Sequence, residues 1–583
     1  MGALSVRAPA VLAMLLMAAP PGGPAAAQGA DDRRYDIRDD VLIRTHDGAT
    51  LSATVIRPKG ATQPLPTLLT LDIYTDPTGF AVRGKDAADH GYISVTADSR
   101  GKRLSTAPIE PYEHEAGDAY DVIDWIVHQE WSDGQVGMRG GSYSGFTAWA
   151  ATKHLHPALK TIAVSAAAIP GQGLPMVNNI FLSANYGWAF YVGDNRFLDE
   201  KTYNDNARWS ALPDKWFASG RRYRDIDVID GTPNPWLQRW LRHPAYDGYW
   251  QAMVPYRQDF ARIGIPVLTV TGYYDDGQVS ALEYVREHHR YRPDAEDYVV
   301  IGPYDHFGTH RSQKAPVLRG YGIDPVAQFS TPALFYEWMD YVLRGAPKPP
   351  VLVDRINYEV MGANEWHHAP SLEAMAKAPE RLYFSASRVR HEKDHYLLTA
   401  EEPKAADLKQ KIDLADHRVP HNDHYYPDPI IEKKLDQLTE LMFVSAPLPA
   451  PRVVSGAFTG TLDVTINKKD FDAGVTVFEE LPDGRLVHLA YWIGRASFAA
   501  DRSVRTLLTP DRPAQIPFET SVVSRRLGQG SRLVVLLDVN MNSIAQVNYG
   551  TGKDVSDESR ADAGRDLKVR WHSDSYLTVP FER

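Results

Sequence analysis

Short apolar runs alternate with amphipathic stretches between Val41 and about His310. The runs that predict strands lie at 67–71, 92–97, 135–138, 161–164, 266–270 and 298–301. Stretches with apolar residues at helical spacing lie between them, at 119–129 and 279–289. Because such alternation is typical of strand–helix–strand units, it predicts a parallel sheet flanked by helices.

The alternation stops after Ala168 and resumes near Ile265. The residues between are rich in Trp, Tyr, Asn and Arg and have no strand-like runs, which predicts a helical insertion that caps the sheet. A proline-rich stretch at 345–350 indicates a boundary, and the short β-prone runs beyond it predict a β-sandwich. The predicted division is a signal peptide at 1–27, an α/β domain at 28–168 and 263–346, a cap at 169–262 and an all-β domain at 347–583.

The N-terminus has the pattern of a secretory signal peptide. Arg7 supplies a positive charge, residues 8–20 are apolar, and the small residues 25–27 precede an expected cleavage site. The apolar stretch is shorter than the roughly 20 residues that span a bilayer, which disfavours a retained anchor. We therefore expect an exported protein, periplasmic or secreted, that has no membrane contact after cleavage.

Composition limits the chemistry. The 583 residues include no cysteine, which excludes disulfides, thiolate metal sites and a cysteine nucleophile. With 63 Lys and Arg against 74 Asp and Glu, the net charge of −11 disfavours nucleic acid as a partner. The nucleophile must be oxygen or nitrogen, we expect neither a cofactor nor a metal, and the pattern leaves a homo-oligomer open.

A candidate nucleophile lies where a predicted strand turns into a predicted helix, at 136–149. A serine at such a strained turn needs small residues two positions before it and shortly after it. Gly140, Gly141 and Gly145 surround Ser142 in this way, although the last glycine follows the serine by three positions instead of the usual two.

Downstream, acids and a histidine follow further predicted strands. Asp275 and Asp276 come after the strand at 266–270, and His306 comes after the strand at 298–301. The order serine, acid, histidine is that of α/β-hydrolases, whose sites lie at the carboxyl ends of the strands. The local pattern leaves open which of the two neighbouring acids points inward.

Five motifs together resemble the CocE/NonD hydrolases, which include cocaine esterase, α-amino acid ester hydrolases and Xaa-Pro dipeptidyl-peptidases. They lie at 130–138, 140–145, 243–250, 272–275 and 302–306, and the resemblance covers nearly the whole mature chain. It implies an α/β-hydrolase fold with an inserted helical cap, followed by an all-β jelly-roll or sandwich domain.

By position, the resemblance implies that Ser142 is the nucleophile, Asp275 the orienting acid and His306 the general base. The geometry of such turns makes the backbone N–H of Tyr143 one oxyanion-hole donor. The resemblance implies that the hydroxyl of Tyr74 is the second, although Ile73 stands where the family commonly has proline.

These residues predict a secreted serine hydrolase that cleaves small carboxylic esters, and amides as a further class, through an acyl-enzyme. One alternative is a peptidase or acylase, either like the Xaa-Pro dipeptidyl-peptidases or acting on β-lactam side chains or α-amino acid esters. The other is an inert carbohydrate- or surface-binding protein.

We also expect weak selection for a free α-amino group. Residues 140–149 contain no acid, and Asp276 is followed by uncharged residues, so a buried ammonium would lack a partner. Asp247 in the cap would contradict this expectation if it faced the pocket.

The stretch His391–His395 matches the zinc-protease pattern H-E-x-x-H. That pattern requires a helix which places both histidines on one face. The surrounding sequence has no apolar helical stripe, so we expect a polar surface turn here and no zinc site.

Overall fold

The computed structural model describes residues 33–311, 316–389, 395–404, 406–418, 422, 424–435 and 439–582. The predicted signal peptide lies outside the described residues, as do positions 391–394 of the H-E-x-x-H stretch. His395, the last residue of that stretch, begins a β-strand. Within the described ranges, every helix is too short or too polar to cross a bilayer.

A ten-stranded sheet forms the centre of the first domain. The strands in this part of the chain are β1 (Tyr35–Arg44), β2 (Thr50–Pro58), β3 (Leu65–Asp72), β4 (Ile93–Asp98), β5 (Ser132–Gly141), β6 (Leu159–Ser165), β7 (Met176–Val177), β8 (Ile180–Phe181), β9 (Val267–Tyr274), β10 (Asp297–Asp305), β11 (Val317–Leu318), β12 (Tyr321–Gly322), β13 (Ile356–Val360) and β14 (Glu365–Ala369). Their order in the sheet is β1-β2-β4-β3-β5-β6-β9-β10-β13-β14, and β7–β8 and β11–β12 form separate hairpins.

The six strands from β4 across to β10 run parallel, and β13 continues them. Strands β4 and β9 are buried along their whole length, as expected where helices cover both faces of a sheet. The covering helices are Pro77–Asp89, Glu115–Val127, Tyr143–Ala151, Gln278–Tyr291 and Thr331–Arg344, with short 3₁₀ turns at Gly308–His310, Pro325–Ala327 and Glu373–Met375.

The cap is inserted between β6 and β9. Its helices are Ala184–Gly193, Glu200–Tyr203, Asn206–Ser219, Ile226–Asp230, Pro235–Trp240 and Gly248–Gln251, with 3₁₀ turns at Tyr223–Asp225 and Arg257–Arg262. Short polar side chains begin several of them, because such a side chain accepts a hydrogen bond from a free N–H of the first turn. Asp205, Asn234 and Asp247 each do so.

The second domain is a β-sandwich built from a twelve-stranded sheet. Its strands are β15 (Glu380–Arg388), β16 (His395–Thr399), β17 (Leu408–Ile412), β18 (Ile431–Glu432), β19 (Leu441–Val444), β20 (Arg452–Ile466), β21 (Asp472–Glu480), β22 (Leu486–Arg495), β23 (Pro513–Leu527), β24 (Arg532–Val539), β25 (Leu567–Trp571) and β26 (Tyr576–Val579), with 3₁₀ turns at Ala496–Phe498, Val555–Asp557 and Arg560–Asp562. In β25, buried and exposed residues alternate, which is typical of a strand with one face on the core.

The predicted boundary at 346 falls too early. Strands β13 and β14 lie beyond it, yet β13 pairs with β10 of the first sheet and β14 pairs with β13. The proline-rich stretch ends the preceding helix, but the chain then returns to the same sheet. A local breaker signals the end of an element, whereas strand pairing decides which domain the next strand joins.

The sandwich supports the loop that carries the candidate acids. The buried side chain of Gln278 donates to the carbonyl of Val522 at 2.9 Å and accepts from the N–H of Val522 at 2.7 Å. The hydroxyl of Tyr274 donates to the carbonyl of His488 at 3.1 Å. The second domain therefore holds the segment that follows β9 from both sides of Asp275.

Candidate active site

Ser142 lies at a strained turn between β5 and the helix Tyr143–Ala151. Its φ of 58° and ψ of −118° place a residue with a side chain in a region that such residues rarely adopt. The turn is tight, because a Cβ added to Gly140 would lie 2.4 Å from the Cβ of Ser144. A Cβ on Gly145 would lie 3.0 Å from Ala167. A side chain at Gly140 would therefore overlap its neighbours, and one at Gly145 would fit only if Ala167 moved slightly.

Asp275 follows β9 and is held in one orientation. Its Oδ2 accepts from the hydroxyl of Thr271 at 2.8 Å, and its Oδ1 accepts from the N–H of Gly277 at 2.8 Å. Oδ1 also lies 3.0 Å from Nδ1 of His306, in hydrogen-bonding geometry. Both side chains are buried, so an aspartate and an imidazole meet at the carboxyl ends of β9 and β10.

Asp276 faces the same ring nitrogen. Its Oδ1 lies 2.9 Å from Nδ1 of His306, and its side chain is 23% exposed, whereas that of Asp275 is fully buried. Of the two contacts, the one from Asp275 meets hydrogen-bonding geometry. The two neighbouring acids thus both point inward, and they differ in hydrogen bonding and in exposure.

The two carboxylates set the charge of the imidazole. Burial alone would lower the pKa of His306, but the charge of Asp276 and the contacts with Asp275 hold it well above the ordinary value. Burial alone would raise the pKa of Asp276, but the charge of His306, followed by that of Arg319, brings it below the usual value. With both acids at Nδ1, the ring's Nε2 is left for other contacts.

The loop after His306 returns to the serine turn. His310 packs beside Gly141, where an added Cβ would lie 3.1 Å from Nδ1 of His310. The rings of His306 and His310 are 5.9 Å apart. Among the hydrogen bonds of the described residues, none joins the Ser142 hydroxyl to His306, so the structure brings these two residues to one edge of the sheet without a direct hydrogen bond.

The backbone N–H of Tyr143 is available at this edge of the sheet. As the first residue of its helix, it has an N–H without a partner inside the helix. Its side chain points into the core, where the hydroxyl donates to Glu115 and accepts from the N–H of Tyr112 at 3.1 Å. Burial raises the pKa of Glu115 to about 7.

Tyr74 lies after β3 and close to Ser142. The carboxylate of Asp72 accepts from the N–H of Tyr74 at 3.1 Å, which fixes the turn. Burial raises the pKa of Tyr74 well above its ordinary value, and hydrogen bonding with Trp188 and with the Ser142 side chain offsets only part of this rise, so these groups are neighbours. The Tyr74 hydroxyl accepts from the indole N–H of Trp188 at 2.7 Å.

Three of these contacts could not be read from the local sequence. They are the contact of Asp276 with His306, the hydrogen bond between Glu115 and Tyr143, and the hydrogen bond from Trp188 to Tyr74. Trp188 belongs to the aromatic-rich insertion, but the pattern does not show which of its tryptophans reaches Tyr74. Other nearby groups have structural roles, since Asp305 accepts from the N–H of Gly308 at 2.8 Å.

Within the part of the chain that the structure describes, one cluster has the side chains and spacing to hold a metal ion. It consists of Asp275, Asp276 and His306, whose potential ligand atoms all lie within 4.8 Å of one another. The contacts between the acids and the imidazole already use these atoms. The expectation of a site without metal or cofactor stays a prediction.

A parallel sheet with a serine at the strained turn, and with an aspartate and a histidine two and three strands away, defines a serine hydrolase of the α/β-hydrolase fold. Two family models match the chain: the X-Pro dipeptidyl-peptidase (S15 family) over residues 47–308, and the X-Pro dipeptidyl-peptidase C-terminal non-catalytic domain over residues 351–573. The chain belongs to the CocE/NonD family of hydrolases.

Relatives in sequence and in structure agree with this assignment. The chain is 24% identical over 541 residues to the cocaine esterase of Rhodococcus sp. (strain MB1 Bresler), covering 86% of this chain and 91% of that protein. It is 23% identical over 464 residues to a putative serine esterase of Mycobacterium bovis, covering 68% of each.

Two solved structures share the fold along most of the chain. An α-amino acid ester hydrolase matches with a TM-score of 0.78 at 22% identity, covering 96% of this chain and 98% of that one. An aminopeptidase from a marine sediment archaeon, Thaumarchaeota archaeon, matches with a TM-score of 0.78 at 20% identity, covering 98% and 99%. The predicted family, fold class and class of enzyme are confirmed.

Proposed function

We propose that the protein hydrolyses carboxylic esters through an acyl-enzyme on Ser142, with His306 as general base and Asp275 as orienting acid. The observation that carries this proposal is the hydrogen bond between Asp275 and Nδ1 of His306 at 3.0 Å, on the sheet edge that presents Ser142 in a strained turn. Such a hydrogen bond holds a proton on Nδ1 and leaves Nε2 free to accept one.

The chemistry follows from that tautomer. Nε2 of His306 takes the hydroxyl proton as Oγ of Ser142 forms a bond to the ester carbonyl carbon. The tetrahedral intermediate collapses, the bond to the leaving alkoxide oxygen breaks, and the imidazolium gives its proton to that oxygen. Water then repeats both steps on the acyl-enzyme, which releases the acid and restores Ser142.

Negative charge on the carbonyl oxygen needs preorganised donors. In the proposal the two donors are the N–H of Tyr143, the residue after Ser142, and the O–H of Tyr74, which neighbours the Ser142 side chain. Loss of one such donor typically costs about 3 kcal/mol of transition-state stabilisation.

The acyl group that suits this site is uncharged near the carbonyl. Asp275 and Asp276 are engaged by His306. Asp247 accepts from the N–H of Tyr249 at 3.0 Å and lies 2.9 Å from Nδ1 of His243, so it begins a cap helix and pairs within the cap. These acids are therefore committed to partners within the protein.

We expect phenylglycine methyl ester and its desamino analogue, methyl phenylacetate, to be hydrolysed with kcat/KM values within about threefold of each other. A buried ammonium without a carboxylate partner would carry an uncompensated desolvation cost. Steady-state kinetics on the two esters at one pH checks this. A strong preference for the amino compound would show that a carboxylate does receive the ammonium.

The proposal of an acyl-enzyme is tested by labelling with a fluorophosphonate. We expect stoichiometric modification, located at Ser142 by peptide mass spectrometry, and turnover of p-nitrophenyl acetate that the label abolishes. An unlabelled protein would favour the inert binding protein. Because the family model is that of an X-Pro dipeptidyl-peptidase, Gly-Pro-p-nitroanilide is the second substrate, and faster turnover of it would favour the peptidase.

Export with cleavage near Ala27 remains part of the proposal. It is supported by the charged, apolar and small-residue order of the first 27 residues. The partner that the proposal names is a small ester or amide substrate, without nucleic acid.

A further inference from the structure

We propose that Trp188 of the cap is a positioning residue that orients the Tyr74 hydroxyl toward the substrate's carbonyl oxygen. This inference rests on the proposed function of Ser142 and extends it, because it makes the oxyanion hole a joint product of the first domain and the cap. A tryptophan in this role does not touch the reacting atoms and acts through Tyr74.

The direction of the hydrogen bond is unambiguous. An indole N–H can only donate, so Nε1 of Trp188 gives its proton to the Tyr74 oxygen at 2.7 Å. A phenol has one proton of its own, which cannot point back along that contact. The Tyr74 proton is thereby directed away from Trp188, and the side chain of Ser142 is another polar group within hydrogen-bonding reach of the Tyr74 hydroxyl.

Both rings are held by packing. Trp188 stacks on Tyr112 with ring centroids 5.1 Å apart and on Trp240 at 6.1 Å. Tyr74 meets Tyr143 edge to face at 6.3 Å, and its N–H is bound by Asp72. A donor fixed in this way before the substrate arrives needs no reorganisation when charge develops, and that is the source of its value in the transition state.

The contact also makes the site depend on the cap. Trp188 lies in the helix Ala184–Gly193, and its partner Tyr74 lies in the first domain. The buried amine of Lys102 anchors the end of that helix, donating to the carbonyls of Val192 at 2.8 Å and Asn195 at 2.6 Å. The second oxyanion donor is therefore oriented when the cap helix is docked.

The test is a double-mutant cycle on a p-nitrophenyl ester. Tyr74→Phe should lower kcat by about 10²- to 10³-fold, as expected for loss of an oxyanion donor. Trp188→Phe should lower kcat by about 5- to 20-fold with KM changed less than about twofold, because it loses one hydrogen bond that orients the donor. In the Tyr74→Phe background, Trp188→Phe should change kcat by less than about twofold, because no hydroxyl remains to orient.

Trp209→Phe is the matched control. Trp209 lies in the same cap, and its indole N–H donates to the carbonyl of Thr202 at 2.7 Å and not to Tyr74. Its replacement should leave kcat within about twofold of the parent. To separate the N–H from the bulk of the ring, Trp188 is also replaced by 3-benzothienylalanine, which has nearly the same shape and sulfur in place of N–H. It should reproduce the kcat loss of Trp188→Phe.

Two outcomes would overturn the inference: equal losses from Trp188→Phe in both backgrounds, or a benzothienyl protein with the parent kcat. Ser142→Ala, measured beside them, separates this from failure of the proposed function. If Ser142→Ala stays active, the proposed function is wrong. If Ser142→Ala is inactive and the Trp188 proteins keep the parent kcat, only the role of Trp188 is wrong.

Discussion

Ser142→Ala is expected to lower kcat for ester hydrolysis by at least about 10⁴-fold, because the variant has no oxygen that can form the acyl-enzyme. The N–H of Tyr143 and the rest of the pocket remain, so binding should persist and any residual rate should reflect water attack on bound ester. The measurement is steady-state turnover of a p-nitrophenyl ester together with fluorophosphonate labelling, which should also disappear.

Ser165→Ala is the matched control for this experiment. Ser165 ends β6 beside the serine turn, and its carbonyl accepts from the N–H of Ser142 at 2.9 Å. Alanine keeps that backbone contact and removes only a neighbouring hydroxyl, so turnover should stay within about threefold of the parent. Normal turnover by a folded Ser142→Ala protein would place the nucleophile elsewhere.

Asp275→Asn and Asp276→Asn are expected to have very different effects, although the two acids are adjacent. Asparagine at 275 loses the charged acceptor that holds the Nδ1 proton of His306, so we expect kcat to fall by about 10⁴-fold. Asparagine at 276 leaves that hydrogen bond in place. At high pH, the kcat of Asp276→Asn should therefore stay within about tenfold of that of the parent.

The effect of Asp276→Asn should appear in the pH profile. His306 acts as a base only when its ring is neutral, so kcat/KM falls as pH decreases through the pKa of His306. Burial lowers that pKa, and the charge of Asp276 is the largest of the contributions from the two acids that together outweigh burial and raise it. Removing the charge lowers the pKa, and the acidic limb of the profile should move to lower pH by about 1 to 3 units.

The parent protein should accordingly lose activity on acidification at a higher pH than an unperturbed histidine would give. The charge of Arg319, which lowers the pKa of Asp276 in the parent, is retained in both variants. A profile of kcat/KM between pH 5 and 10 separates the two acids. Equal losses from both variants, with no movement of the limb, would contradict the assignment of Asp275 as the orienting acid.

Much of the first domain could be predicted because its strands and helices have strong local patterns. The runs at 67–71 and 266–270 correspond to β3 and β9, and the helical stretch at 279–289 corresponds to Gln278–Tyr291. The predicted domain boundary was misplaced because no local pattern specifies it. Whether β13 pairs with β10 or joins the sandwich depends on contacts between distant strands, and a proline-rich stretch carries no information about them.

Some features of the candidate site could likewise be predicted from local sequence, and others depend on contacts between distant residues. The glycines around Ser142 and the order of serine, acid and histidine are local features, so the chain itself predicts the turn and the strand ends that carry these residues. The choice between Asp275 and Asp276 is not local. It depends on where Thr271 and Gly277 place donors, and on where β10 brings His306.

Local spacing along the chain was enough to predict the strand–helix alternation, the inserted cap, the β-rich second domain and the serine at a glycine-flanked turn, because each of these features involves residues that are near one another in the chain. Two other features came from the folded arrangement alone: two carboxylates contact the imidazole of His306, and Trp188 donates a hydrogen bond to Tyr74. Tyr74 and Trp188 are 114 residues apart in the chain, and their contact exists because the cap packs over the ends of the parallel strands. Contacts of that kind follow from strand order and domain packing, which local spacing does not encode.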